Sequence, residues 1–275
     1  MIESRNLYKL QSELTVNSKT IPIKTLEKDY VLSWVLVGVA KSSLSKLVCF
    51  KGGTSLKKIY FSDYRFSEDL DFTLLSDCSL DIIKFKLQEV YSIVLADSNI
   101  NLSFKTVEEL KNSYTIYLNY SGPLGADIKK GQIKTDFTIK EHLLNPPVNK
   151  LLLRCYEQYY DIPENIELSA YSLEEIFIEK CLCVLNRNEP RDIYDLWYLS
   201  SNQCLDFKHL ASKIKAKGIA KGSKYLDIVN ALNTKRKNFE SLWKTRLQDQ
   251  MTDLPHFDKV YRELTRELKP INIIT

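Results

Sequence analysis

An apolar run of strand length, Leu47-Val-Cys-Phe50, is stopped by Lys51-Gly52-Gly53 and followed, beyond a helical stretch, by a second strand-like run, Asp69-Leu-Asp-Phe-Thr-Leu-Leu75. Glycine is scarce, with eight in 275 residues, so a glycine pair between a buried strand and a helix marks a place where the backbone itself is needed. Residues two apart on a strand share a face at a Cα separation of about 6–7 Å. Asp69 and Asp71 therefore project together while Leu70 and Phe72 face a core. Two adjacent carboxylates raise each other's pKa unless a cation lies between them. A divalent ion resolves the repulsion, and Mg²⁺ is commonly held by one or two carboxylates plus substrate phosphates. Glycines at the end of the preceding strand let a phosphate chain approach, and a helix opening at Thr54 aims unpaired amides toward it. A lone D-x-D is more often a solvated strand edge. The strand, glycine turn, helix and acidic strand in sequence are far more specific.

The rest of the chain supplies the frame. Residues 1–22 read as a polar arm with weak helical character, 23–150 as an α/β (α+β) core, and 151–275 as a mainly helical domain. Leu26, Tyr30, Trp34 and Val37 recur at helical spacing, and Ser79 is placed to cap a helix striped by Ile82, Phe85, Leu87, Val90, Ile93 and Val94. Strand-like segments at 102–107, 114–120 and 132–139 suggest a meander, the last two flanking Ser121-Gly-Pro-Leu-Gly125. Helices are expected at 172–187, 191–200, 207–216, 223–233, 235–249 and 257–267. Six scattered cysteines, with no CxxC pair or zinc spacing, read as thiols in a reducing compartment. No signal core or stretch of ~18 uncharged apolar residues appears. The expectation is a soluble, cytoplasmic protein with no membrane partner.

The order and wording of these motifs resemble a known family. Lys51-Gly-Gly-Thr-Ser-Leu56 with Arg65-Phe-Ser-Glu-Asp-Leu-Asp-Phe72, Glu27-Lys-Asp-Tyr30 upstream, Ile133-Lys-Thr-Asp-Phe137, and Glu179-Lys180 with Arg191-Asp-Ile-Tyr-Asp-Leu196 downstream look like the AbiEii/AbiGii toxin family, within the polymerase-β-like nucleotidyltransferase superfamily. The resemblance implies a polymerase-β-like core with a mixed sheet, a C-terminal helical domain, and an NTP bound in a cleft between them. It implies Mg²⁺ or Mn²⁺ at Asp69 and Asp71 with Asp136 as third ligand, and phosphates cradled by Lys51, Gly52, Gly53, Thr54 and Ser55 beside Arg65 and Ser67. The Gly53–Asp69 interval is long for the superfamily but suits this family. An RNA acceptor, tRNA in particular, growth arrest, and a cognate antitoxin in a toxin–antitoxin or phage-defence setting follow from the same resemblance. For Asp136 alone, a surface carboxylate near a strand end is an equal reading.

Lys180 falls among apolar helical positions, where snorkelling to solvent is the plainer reading. The resemblance instead gives it contact with the nucleotide, and gives Asp192 and Asp195 a part in the active site. By position alone, Asp192 favours a helix N-terminus and Asp195 can pair with Arg191. Between 208 and 246, eleven Lys/Arg stand against Asp227 and Glu240, which suits an RNA backbone or a solvated helical face equally. Two rivals remain: transfer to a protein or small-molecule hydroxyl, and a catalytically silent nucleotide- or RNA-binding module. His142, His209 and His256 neighbour neither one another nor a nucleophile motif, so a histidine hydrolase is disfavoured.

Overall fold

A computed structural model describes residues 1–125, 131–202, 205, 207–223 and 226–269, without the side chains of 202, 207 and 208. The chain divides into two compact units. Residues 1–141 with 147–170 form the first, and residues 142–146 with 171–275 the second. The sequence reading ended the core at 150, within residues 147–170 of the first unit.

In chain order the first unit comprises α1 (Ser4–Glu13), α2 (Ile23–Lys41), β1 (Val48–Lys51), α3 (Gly52–Ser55), β2 (Asp69–Leu74), α4 (Leu80–Ser98), β3 (Asn101–Leu110), β4 (Ser113–Ser121), β5 (Gly131–Thr138), β6 (Val148–Leu151) and β7 (Glu167–Ala170). A π-helical turn over Leu56–Tyr60 prolongs α3. Among the described residues the strands form one seven-stranded sheet in the order β3-β4-β5-β2-β1-β7-β6. It is a mixed sheet: β1 runs antiparallel to β2 and parallel to β7, and β2 runs parallel to β5. The meander expected at 102–139 is β3-β4-β5.

α2 packs against α1, α4, β5 and β7, and a helix enclosed on several sides is apolar nearly all round. Tyr30, Val31, Leu32, Trp34 and Val35 are accordingly all buried. α4 begins at the Ser79 cap, whose hydroxyl accepts from the Ile82 amide. Its buried stripe is Leu80, Ile83, Leu87, Val90, Tyr91 and Val94, while Ile82 and Phe85 are exposed, Phe85 by 78%. The helical period was legible, but the expected face was rotated. The N-terminal segment is also anchored, for Ile2, Leu7 and Leu10 lie in the core of this unit.

The second unit comprises α5 (Leu173–Asn186), α6 (Pro190–Asn202), α7 (Phe207–Ala220), α8 (Ile228–Leu247) and α9 (Phe257–Leu268). Ser172 caps α5 by accepting from the Glu175 amide at 3.2 Å. The helices expected separately at 223–233 and 235–249 form the single helix α8, capped by Asp227 through the Asn230 amide at 2.8 Å. Phe177, Leu196, Phe239 and Leu264 are fully buried in this unit, each contributing about 1.5–3 kcal/mol by leaving water. No helix among the described residues is long and apolar enough to cross a membrane. Cys49, Cys78, Cys155, Cys181 and Cys183 form no disulfide among the described residues, and Cys204 lies outside them.

Candidate active site

Strand register assembles the charged face of the first unit. Lys51 lies opposite Asp71, and Asp71 lies beside Asp136 on β5. Asp136 is opposite Thr115 on β4, and Asp69 is beside Lys134. Residues directly paired across strands project to one side of the sheet. Lys51, Asp71, Asp136 and Thr115 thus form a row across four strands, with Asp69 and Lys134 in the next row. The opposite side is apolar, where Phe72 stacks on Phe137 at 5.5 Å and meets Phe50 at 5.4 Å. Asp69 and Asp71 are half-buried.

The glycine turn is built around Asp71. Gly52 has φ +78°, in the left-handed region that favours glycine, and a methyl group there would collide with Oδ2 of Asp71. Thr54 donates its hydroxyl to the Asp69 carbonyl and lies 2.8 Å from the Ser67 hydroxyl. Ser55 donates to the Gly52 carbonyl at 2.7 Å. Thr54, Ser55 and Ser67 are buried, and these bonds tie the turn to β2. Gly53 is also buried.

Two buried lysines fasten what surrounds the turn. Lys57 donates to the Ser62 and Tyr64 carbonyls at 3.2 and 3.1 Å and to the Tyr156 hydroxyl at 2.9 Å. Its ammonium lies 4.4 Å from the Phe66 ring centroid, and burial lowers its pKa. Lys58 pairs with Asp29 at 2.8 Å and bonds Ser33, which fixes the π-helical turn to α2. The long connector between glycine turn and acidic strand is therefore clasped from within. Arg65, buried on that connector, donates to the Phe66 carbonyl at 3.2 Å. Neither Lys57 nor Lys58 stood out in the sequence as a site residue, although both directly follow Lys51-Gly-Gly-Thr-Ser-Leu56.

Asp136 is engaged by its neighbours. Lys134 Nζ lies 2.5 Å from Oδ2, and the Thr115 hydroxyl donates to Oδ1. Burial works against the charge on Lys134, but the hydrogen bond it donates to Asp136 and the charges of Asp136, Asp69 and Asp71 outweigh it and raise its pKa. Among the described residues no group of three or more His, Cys, Asp or Glu side chains is arranged to hold a metal ion. Asp69 and Asp71 offer hard oxygen donors that suit Mg²⁺ as a carboxylate pair completed by phosphate oxygens. Lys134 carried a signal in the sequence, two residues from Asp136 on one strand face. The contact of Thr115 required the β4–β5 pairing.

In the second unit Lys180, Asp192 and Asp195 come together as one buried network. Lys180 Nζ lies 2.8 Å from Asp192 and 2.7 Å from Asp195. Arg187 adds two bonds to Asp192, at 2.7 and 2.9 Å. Asp192 and Asp195 are 1% and 0% exposed; they turn toward Lys180 instead of presenting an open acidic face. Burial alone would raise the pKa of Asp192, but Lys180 and Arg187 overcome it and hold the carboxyl below its ordinary value. Asp195 pairs with Lys180, where the sequence offered Arg191 as its partner.

The basic run at 208–246 is largely committed within the unit. Lys217 is fully buried against Glu175 and Glu179 at 2.5 and 3.0 Å. Lys213 pairs with Glu174, Lys221 with Glu179 and Arg236 with Asp258. Lys235 donates to the Val184 and Leu185 carbonyls at the end of α5. Lys215, Lys237 and Lys244 are exposed. Lys224 and Tyr225, and the side chain of Lys208, lie outside the described residues.

The family model "Nucleotidyl transferase AbiEii toxin, Type IV TA system" matches residues 34–263. The fold is similar to MenT4, a nucleotidyltransferase toxin of Mycobacterium tuberculosis H37Rv, with TM-score 0.68 and 14% identity over 99% of this chain and 89% of that one. It is also similar to JHP933 of Helicobacter pylori, with TM-score 0.62 and 16% identity over 92% of this chain and 93% of that one. No curated protein matches the sequence.

Proposed function

This chain belongs to the AbiEii family of nucleotidyltransferase toxins of type IV toxin–antitoxin systems, and on that premise we propose that it transfers a nucleotide from an NTP to a hydroxyl of RNA, tRNA in particular. The observation that carries this reading is the contact between Gly52 and Asp71. A left-handed glycine whose Cα abuts one of two same-face carboxylates leaves backbone and acid sharing one small space. That arrangement suits a polyphosphate and its counter-ion.

Asp69 and Asp71 would hold Mg²⁺ or Mn²⁺, and Asp136 would join them on releasing Lys134. Bound divalent ions supply activation of the acceptor hydroxyl and stabilisation of the leaving pyrophosphate, the division of labour for in-line displacement with two ions. The acceptor oxygen forms a bond to the α-phosphorus as the bond to pyrophosphate breaks. Lys51 lies in the row of Asp71 and would orient phosphate oxygens with the amides that open α3. The buried hydroxyls of Thr54, Ser55 and Ser67 bond within the turn and hold its shape, while Arg65 steadies the connector. Lys180 would act as a cation held in place by Asp192 and Asp195. A cognate antitoxin accompanies a toxin of this class, in a toxin–antitoxin or phage-defence setting.

The test supplies each α-labelled NTP with Mg²⁺ and total RNA to wild type and to Asp69→Ala. Label enters RNA with wild type alone. Equal labelling by both proteins would remove Asp69 from the chemistry. Label confined to protein or to a small molecule would reassign the acceptor.

A further inference from the structure

Within the second unit, α8 and α9 border a groove of about 710 Å³ whose lining includes Arg236, Arg262, Arg266 and Lys269 against the single acid Asp258. On α9 and its C-cap, Arg262, Arg266 and Lys269 recur at intervals of four and three residues. At ~1.5 Å rise per residue they lie on one helix face along about 10 Å. Glu263 accepts from the Trp197 indole at 2.7 Å, and neither it nor Glu267 lines the groove. Arg262, Arg266 and Lys269 are exposed.

Arg236 reaches the same groove from α8 and is held there in advance. Its guanidinium lies 5.1 Å from the Tyr261 ring centroid, and the Tyr261 hydroxyl donates to Asn233 at 2.6 Å. Arg236 meets Asp258 at 2.6 Å and Arg266 meets Glu267 at 3.0 Å. Both pairs are solvent-exposed, the first by 46% and 73%, and such pairs are worth only about 0–1 kcal/mol. An arriving phosphate can displace them. Guanidinium groups bind phosphate through two parallel hydrogen bonds. Cations spread along a groove suit a strand carrying several phosphates better than one isolated anion.

We propose that this groove receives the phosphodiester backbone of the RNA acceptor, with Arg262, Arg266 and Lys269 along successive phosphates and Arg236 closing the other wall. The proposal rests on RNA being the acceptor, and it moves the binding surface away from most of the basic run at 208–246, sharing only Arg236 with it. Specificity for a particular RNA is no part of this contact, because backbone phosphates are common to all RNA.

The experiment measures binding of bulk tRNA, of oligouridylate and of polyglutamate to the full chain across a salt series, beside nucleotide transfer. Arg262→Ala/Arg266→Ala is expected to weaken tRNA and oligouridylate binding about tenfold or more, and to flatten the dependence of log K on log salt by ~1–2. It should raise KM for RNA while KM for NTP stays unchanged. Asp258→Asn, which removes the one acid of the groove, is expected to tighten RNA binding several-fold. Unchanged affinity and salt slope in the double variant, weakened binding in Asp258→Asn, or polyglutamate binding as tight as tRNA would each overturn the proposal. Circular dichroism and a thermal midpoint within a few degrees of wild type certify the fold. If wild type labels no RNA, the acceptor reading fails by that measurement alone. If labelling depends on Asp69 but the arginine variant binds tRNA like wild type, the groove fails alone.

Discussion

Each unit gathers acids around a lysine, and the two clusters differ in access. On the sheet face of the first unit, Asp69 and Asp71 are half-buried, and the Asp136–Lys134 pair is 22% and 38% exposed. In the second unit Asp192 and Asp195 are sealed and Lys180 is 7% exposed. The first sets three acids against Lys134 and Lys51, the second two acids against Lys180 and Arg187, and only the first leaves its carboxylates partly exposed. In the second, two acids and two cations satisfy one another at short range. A half-open cluster can exchange partners, whereas a closed one holds its geometry.

The largest effect that sharpens this contrast is on activity. Asp71→Asn is expected to bring transfer to background while leaving the thermal midpoint within a few degrees of wild type, because the half-buried carboxylate is replaced by an isosteric amide. A midpoint falling in step with activity would make Asp71 structural and break the contrast. Lys180→Met should lower transfer and stability together. Removing the ammonium leaves Asp192 and Asp195 buried without it, at a cost of about 3–5 kcal/mol, measurable by urea unfolding. A loss of activity with full stability would place Lys180 on the side of the open cluster.

The pH dependence of the closed cluster has a definite sign. Asp192 has a folded pKa held below the ordinary carboxylate value of 3.8 by Lys180 and Arg187. Its contribution is therefore present above that value and is lost as pH falls through the lower folded pKa. The stability gap between wild type and Asp192→Asn should stay constant from pH 7 to 5 and shrink below pH 3.8, as read from urea midpoints. A gap that narrows already at neutral pH would mean that Asp192 is not held as a carboxylate. Next in size, Gly52→Ala should cost about 1–3 kcal/mol through strained backbone and depress transfer with it. Lys134→Met is expected to tighten Mn²⁺ binding several-fold by calorimetry, because it removes the cation that Asp136 now faces. Unchanged Mn²⁺ affinity would separate Asp136 from the metal.

Much of the first unit was readable locally. The Ser79 cap, the period-two alternation of Asp69-Leu-Asp-Phe, and the apolar run before Gly52 depend on contacts within a few residues. The α4 stripe shows where that reading stops. Phe85 fits helical spacing as well as Ile83 does, yet only the packing of α4 against α2 and the sheet selects which face is covered. β6 and β7 escaped notice because each has four residues, too few to establish an alternation. The basic run meets the same limit. Lys217 looks like any other lysine in sequence, and its burial depends on Glu175 and Glu179 a full helix earlier.

By itself the sequence determined which chemistry is available: a glycine turn, a strand with two acids on one side, and a later motif with its lysine and aspartates. Backbone conformation and strand alternation are local consequences of residue type, so these can be read along the chain. Tertiary structure decided which charges neutralise one another. It placed Asp71 beside Asp136, gave Asp136 to Lys134 and Thr115, and closed Asp192 and Asp195 over Lys180. Those pairings depend on strand register and helix packing between residues far apart in sequence, and electrostatic attraction acts on distance in space, which no spacing along the chain encodes.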